Sequence, residues 1–515
     1  KSLGFSRAIV SKDLSIEQIW GLSLKSDLEL ECFVHGDLCA AQTGQCLLSS
    51  LVFGESSNRG RCMKPCRWRY QAFAWPENSS RNNLTPAGSY LLACKDLCLY
   101  PLLPDLVQAG VVCFKIEGRM REAAYLGPLV GAYRQALDRY LSDPVGYRLD
   151  GQEWKALLER RIRDFTTGRA LGDPGPDLYD YTGAREPHFS TRPIEHRRLS
   201  HQEGKSPRWS CPVGPDSAAP LLQTRLGVRV GSFAALEPAL AAGADLLYIG
   251  GETPLSRPTD WGRTQVEEAL VMARRQGAQL IYATPRVAYR REINEYQAWL
   301  RELRDLGIDG ILAANWGILK LAREIEGLRC FGDYPLNLAS SRALEVARSL
   351  GLERVTASLE IPMEQLTGLL DRSSLPVEVV VHGHLTGMVL NQDLVSILSG
   401  PEAGNFCRYP PLYLEDEAGE RYRVEVDQYR RSHLLLEQPL CLLPYLPDLI
   451  AHRPAALRLE LQYTDPGMVG RLVEIYRRHL ELAVNDPAGY QVSPLDWDWL
   501  RESTPAGHTA GALGI

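Results

Sequence analysis

The sequence predicts an α/β protein made of tandem TIM-like (β/α)8 barrels. The first barrel is incomplete at its N-terminus, and each carries a long insertion between strands seven and eight. Two observations predict this. Short apolar runs alternate with amphipathic helical patterns through residues 226–515, the rhythm of parallel βα units. The opening segment of the chain then matches the end of that pattern, residue type by residue type, as a repeat does.

In the second half the expected strands are Val228–Phe233, Asp245–Gly250, Gln279–Thr284, Gly310–Ala314, Leu328–Gly332, Arg354–Glu360, Val377–His382 and Ala456–Glu460. Helical spacing of apolar residues falls between them, for example over Gln265–Gln276 and Glu295–Leu306. Periodicity cannot see closure, so a doubly wound open sheet is the alternative.

In the first half only counterparts of strands six to eight occur: Arg7–Ser11, Glu31–His35 and Val112–Glu117. Gly4, Ser11, Asp13 and Glu17 match Gly351, Ser358, Glu360 and Glu364. Val34-His35-Gly36 matches Val381-His382-Gly383, and Glu117 matches Glu460. The first five units of copy one are therefore expected upstream of Lys1. The expected organisation is 1–175 for the end of barrel one, 176–225 for a Pro-, Gly- and Ser-rich linker, and 226–515 for barrel two.

The net charge is -6 and charged residues make up 23%, so a protein that coats nucleic acid by charge alone is disfavoured. No long apolar run indicates a membrane span, and no signal peptide opens the chain, which is expected to be cytoplasmic. The chain has 12 cysteines, of which Cys32, Cys39, Cys46, Cys62, Cys66, Cys94, Cys98 and Cys113 crowd the first quarter. Such a cluster in a large chain reads as metal binding in a reducing compartment, not as a disulfide scaffold.

Chemistry in parallel barrels sits at the C-terminal ends of the strands. Here those ends are Ser11-Lys12-Asp13, His35-Gly36 and Glu117-Gly118-Arg119. Cys39, Cys46, Cys62 and Cys66 follow strand seven, and four thiolates can hold a four-iron cluster or one zinc. Cys94 is the reserve ligand. In the second half Cys39 becomes Thr386 and Cys46 becomes Asp393, with only Cys407 near the Cys62–Cys66 position. That copy cannot build the site, so the thiols of copy one do more than pack.

Arg59, Arg61, Lys64, Arg67 and Arg69 flank Trp68 and Tyr70. Arg59, Arg61, Arg67 and Trp68 are candidates to bind substrate, and a solvated charged face is the alternative. Lys12, His35, Lys115, Glu117 and Arg119 are the catalytic candidates. Lys115, Glu117 and Arg119 alternate on one side of a strand. His35 and Glu117 both have counterparts in the cysteine-poor copy, so a structural histidine and a structural ion pair stand beside the acid–base reading.

Glu31-Cys-Phe-Val-His-Gly-Asp-Leu-Cys39, Gly44-Gln-Cys46, Asn58-Arg-Gly-Arg-Cys62-Met-Lys-Pro-Cys66-Arg-Trp and Lys115-Ile-Glu-Gly-Arg119 resemble the signature of peptidase family U32, the collagenase-like peptidases. Ala241–Gly251 resembles an early-strand motif of the same family. The resemblance implies an iron–sulfur, oxygen-independent hydroxylase of ribosomal or transfer RNA, or of a small aromatic substrate. It implies a 4Fe-4S cluster on Cys39, Cys46, Cys62 and Cys66, and a prephenate-like carboxylate as oxygen donor. The alternatives are a peptidase, as the family name says, and a zinc-stapled scaffold that binds RNA or a partner. No Ser/His/Asp set or zinc-protease motif can be assembled from the sequence.

Overall fold

The computed structural model describes residues 4–74, 82–83, 89–119, 121–187, 224–257, 261–399 and 412–513. The N-terminal half contributes β1 (Arg7–Ile9), β2 (Glu29–Gly36), β3 (Ala41–Cys46), β4 (Tyr70–Ala74), β5 (Asn82–Asn83), β6 (Asp96–Cys98), β7 (Val111–Ile116) and β8 (Phe165–Thr166). The C-terminal half opens with β9 (Arg225–Val230), β10 (Leu246–Gly250), β11 (Gln279–Ala283), β12 (Ile311–Ala313), β13 (Cys330–Gly332), β14 (Arg354–Thr356) and β15 (Val377–Gly383). It continues with β16 (Thr386–Leu390), β17 (Leu412–Asp416), β18 (Arg421–Val426), β19 (Ser432–Leu436), β20 (Leu440–Cys441) and β21 (Ala456–Leu461).

β9 to β15 pair in sequence order, β21 joins β15 to β9, and β14 also pairs β15. These eight strands, all parallel, close a barrel. The open-sheet alternative is thereby set aside. The barrel strands are buried almost throughout, on both faces, and Leu246, Tyr248, Ile281, Phe331 and Ala456 pack as a separate cluster. Both helices expected from periodicity are present, over Arg263–Arg275 and Arg290–Leu306. The expected strand six is shortened to Arg354–Thr356, and beyond it the Glu360 N–H donates to Ser358 Oγ.

The three strands expected in the N-terminal half are present as β1, β2 and β7. Among the described residues, β1 and β7 both pair β2 in parallel, with β6 and β8 beyond it, and no ring forms. One ion-paired triad appears in both halves. Glu31 faces Arg7 at 3.7 Å and Lys115 at 3.4 Å. Glu378 faces Arg354 at 3.9 Å and Arg458 at 3.0 Å. The closed ring buries its triad completely. In the open sheet Arg7 keeps 46% and Lys115 keeps 39% of its side-chain surface.

Gly36 and Gly383 occupy equivalent turns at φ 114° and 122°. A Cβ on either would collide with the carbonyl of Glu117 or Glu460 on the neighbouring strand, so the His-Gly pair closes strand seven tightly onto strand eight.

The two halves share a third sheet that the sequence did not announce. Its order is β3-β16-β19-β18-β17-β4-β5. β3 pairs antiparallel with β16, Cys46 opposite Met388 and Ala41 opposite Leu390, and β4 pairs antiparallel with β17. The main apolar core runs through this sheet, from Leu48, Trp68 and Tyr70 into the barrel. Residues 176–187, expected to be linker, pack on the N-terminal half: Leu178 and Asp180 bond Lys95 and Ala93 through the backbone. The rest of the expected linker, residues 188–223, lies outside the described residues, as does Cys407.

Candidate functional site

The end of β2 aims the chain at the cysteines. Asp37, the residue after β2, receives Lys64 Nζ at 3.0 Å, Arg67 Nη2 at 2.6 Å and Arg163 Nη1 at 3.2 Å. Burial alone would raise its pKa, but Arg67, Arg163 and Lys64 pull it below the usual carboxylate range. Lys64 and Arg67 belong to the Cys62–Cys66 stretch, so Asp37 ties that stretch to the strand end. Sequence reasoning missed Asp37. Its position directly after strand seven was the available signal.

The four thiols of Cys39, Cys46, Cys62 and Cys66 come together. Every pair among them lies within electrostatic reach, a charge on one raising the pKa of the next. Burial pushes the Cys66 thiol up to about 12, with Arg67 pulling the other way, and burial also holds Cys46 well above a free thiol. Cys39 and Cys62 are exposed and Cys46 and Cys66 half-buried, so the group opens toward solvent on one side. Cys94 is buried beside Cys39 and Cys66, its thiol raised by burial, and its carbonyl accepts Arg67 Nη1. Among the described residues, no three His, Cys, Asp or Glu side chains are set to ligate a single metal ion.

One of the four, Cys39, lines a cleft between the two halves. Lys12, Asp13, Leu38, Cys39, Arg169 and Asn391 line its inner part. A larger cavity of about 410 Å³ shares Arg169, Asn391 and Gln392 with it and extends to Tyr289, Tyr429 and Arg430. Lys12 Nζ donates to the Asp37 carbonyl at 2.7 Å and lies 4.6 Å over the Phe33 ring. Asn391 Nδ2 donates to Asp13 at 3.0 Å and Tyr289 OH at 2.6 Å. The cleft therefore needs residues of both halves.

The remaining candidates divide. Lys115 lies 5.0 Å over Phe33, on the same ring as Lys12, and pairs with Glu31. Glu117 is half-buried, its backbone N–H donating to His35. Arg119 is exposed and its guanidinium reaches the space over Gly60 in the cysteine stretch. Arg59 bonds Gln365 at 3.0 Å and Arg61 lies 3.6 Å from Glu55; both are exposed.

Arg67 and Trp68 correct the expectation of substrate binding. Both are 1% exposed. Arg67 is consumed by Asp37, Glu186 at 2.8 Å and the Leu38 carbonyl at 3.1 Å. Trp68 meets Phe53 edge-on inside the core. A charged stretch alternating with aromatics reads as a face in sequence, but the 3-10 turn Pro65–Arg67 points these two inward.

His35 is also turned inward. Its ring nitrogens are each 3.2 Å from a hydroxyl, those of Tyr133 and Tyr125, and burial lowers its pKa to about 4. His382 meets Tyr476 in the same way at 3.1 Å, and burial holds it well below an ordinary imidazole. The structural reading fits both. His384 is likewise lowered to about 4 by burial. Each imidazole is neutral in the fold, so below about pH 6.5 the unfolded chain binds protons that the folded chain refuses. Stability is whole above that pH and falls as pH drops toward about 4. For His35 alone the loss is on the order of 3 kcal/mol. Urea midpoints between pH 7.5 and 4.5 test this, and a flat profile contradicts it.

No helix among the described residues is long and apolar enough to cross a membrane. The sequence matches the model of Peptidase family U32 over residues 1–179 and 231–512. It is 32% identical over 180 residues to a tRNA hydroxylation protein P1 of Bacillus subtilis, covering 34% of this chain and 42% of that protein. Over 141 residues it is 33% identical to a 23S rRNA 5-hydroxycytidine synthase of Escherichia coli, covering 27% of this chain and 21% of the relative. Over 145 residues it is 32% identical to a collagenase of Porphyromonas gingivalis, covering 28% and 34%. The chain thus spans less than half the length of each of these relatives.

Proposed function

The chain belongs to peptidase family U32, and we propose that it is an iron–sulfur-dependent, oxygen-independent hydroxylase of RNA that takes oxygen from a prephenate-like carboxylate donor. The observation that carries the reading is the gathering of Cys39, Cys46, Cys62 and Cys66, of which Cys39 lines a cleft with Lys12, Asp13 and Arg169. Two relatives named for hydroxylating tRNA and rRNA support it. In this reading the two halves are a tandem repeat of which only the first keeps the thiols.

The donor set fits the group. Four thiols, raised by burial and by one another, favour a bound cation that offsets the charge they gain as thiolates. When bound, the cluster supplies the redox chemistry that side chains lack. Cys94 remains the reserve ligand.

The chain's own groups supply the rest. Lys12 presents an ammonium at the inner cleft, and Arg169 a guanidinium, which suits a carboxylate donor. Asp13, held by Asn391 at 3.0 Å and by Ser11 at 2.9 Å, offers an oriented carboxylate for a proton. Tyr289 and Tyr429 flank the outer cavity and give it apolar faces for a base, while exposed Arg59 and Arg61 are placed for phosphates.

The test is anaerobic purification with counts of iron, sulfide and zinc, followed by nucleoside mass spectrometry of tRNA and rRNA incubated with prephenate. About four irons and four sulfides per chain and a hydroxylated base are expected. Stoichiometric zinc without sulfide would leave the scaffold reading in front. Proteolysis that survives removal of iron would leave the peptidase.

A further inference from the structure

The cysteine stretch of the N-terminal half is fastened to the C-terminal half at one carboxylate. Glu360, just beyond β14 at the barrel mouth, is 6% exposed. It accepts Ser50 Oγ at 2.5 Å, Ser56 Oγ at 2.9 Å and Asn58 Nδ2 at 2.7 Å. All three donors lie between Cys46 and Cys62. Neighbouring bonds extend the seam. The Gly44 carbonyl accepts Asn337 Nδ2 at 3.1 Å, Gln45 Nε2 donates to the Pro335 carbonyl at 3.2 Å, and Leu47 N–H donates to the Gly387 carbonyl at 2.7 Å. Ser57 Oγ closes back on the Cys46 carbonyl at 2.6 Å.

The contact has a reciprocal. Asp13 stands at the Glu360 position of the N-terminal half, and it accepts Asn391 from the stretch after β16. Each half thus grips the other's insertion with the acid that follows its strand six, on either side of the antiparallel pair β3–β16. Only one of the two gripped stretches carries thiols.

We propose that the C-terminal half is a clamp for the cysteine centre, and that Glu360 is the positioning residue which fixes the Ser50–Cys62 stretch so that Cys46 and Cys62 face one group. A flexible stretch of that length would otherwise lose conformational freedom each time four thiols gathered. Glu360 fixes it in advance by anchoring three donors on one buried carboxylate, where charge-assisted bonds are strongest. The C-terminal barrel thereby gains a role that needs no thiols of its own. The idea rests on the iron–sulfur reading, but part of its test does not.

Glu360→Ala and Glu360→Gln in the full chain are compared with wild type by two readouts. In metal-free, reduced protein, the alkylation rate of Cys46 is followed by peptide mass spectrometry, with buried Cys32 and Cys98 as references. In reconstituted protein, the rate of iron release to a chelator and the electron paramagnetic resonance of the reduced centre are recorded. Glu360→Ala is expected to speed both Cys46 alkylation and iron release about tenfold or more, since it strips three bonds to a charged acceptor. Glu360→Gln, which keeps an acceptor oxygen, is expected to fall between. Asn58→Ala, an exposed change, guards against a folding defect and is expected to shift the same readouts less. Unchanged alkylation and iron release in a folded Glu360→Ala protein would overturn the clamp. If wild type binds no iron, the hydroxylase reading fails while the alkylation arm still decides the clamp.

Discussion

Cys46→Ser is expected to abolish iron and sulfide binding and, with it, RNA hydroxylation, while leaving the fold intact. Serine keeps the size and position of the side chain on β3, and the half-buried site tolerates a hydroxyl. The bond from Ser57 Oγ to the Cys46 carbonyl and the strand pairing to Met388 do not involve the Cys46 side chain. What is lost is a soft thiolate donor, which a hydroxyl does not replace. Destabilisation should stay within roughly 1 kcal/mol, as expected of a near-isosteric change outside the tightest core. Cys32→Ser and Cys98→Ser provide the contrast. Both thiols are buried among apolar residues of the N-terminal cluster, raised to about 11 by burial, and away from the four-thiol group. They should keep full iron content. The measurement is metal and sulfide analysis with the visible spectrum of the anaerobic proteins. Retention of iron by Cys46→Ser would remove it from the ligand set and bring Cys94 forward.

Much of this was legible in the sequence, and the reasons for the rest are physical. The eight strands of the barrel showed themselves because apolar runs between helical patterns reflect burial on both faces, a local signal. Closure was not legible, because the pairing of β21 with β9 joins residues more than two hundred positions apart. The same holds for the β3–β16 seam and for Glu360. Their contacts are long-range, and Glu360 read only as a match to Asp13. The cysteines were legible because thiols in polar, glycine-rich surroundings do not look like core. Arg67 misled for the opposite reason. Its neighbours Arg59, Arg61 and Arg69 are exposed, and a composition cannot say which of five cations turns inward. The partners that pull it in, Asp37 and Glu186, lie on either side of it in the chain, and Glu186 fell in a segment expected to be linker.

That inward arginine carries the second large effect. Arg67→Ala is expected to destabilise the protein by about 3–5 kcal/mol, the usual cost of removing one partner from a buried ionic group. Arg67 sits among Asp37, Glu186 and the carbonyls of Leu38 and Cys94. Arg163 cannot replace it fully. Its guanidinium already serves Asp37 at 3.2 Å, Asp96 at 3.0 Å and Glu186 at 2.6 Å. Deleting Arg67 leaves one cation to face three carboxylates, aided by Lys64 on Asp37 and by Arg121 on Asp96 at 2.7 Å. Arg67→Lys should recover only part of the loss, because one ammonium cannot span acceptors that a forked guanidinium reaches together. Arg59→Ala and Arg61→Ala, at exposed positions, should cost under about 0.5 kcal/mol. Urea unfolding of the four variants separates the two classes. If Arg59 and Arg61 instead contact RNA phosphates, their replacement should weaken RNA binding and flatten its salt dependence without moving the unfolding midpoint. Arg67→Ala should do the reverse, lowering the midpoint steeply and changing RNA affinity only through the loosened cysteine stretch. An Arg67→Ala protein as stable as wild type but weak for RNA would restore Arg67 to the substrate surface and contradict its burial.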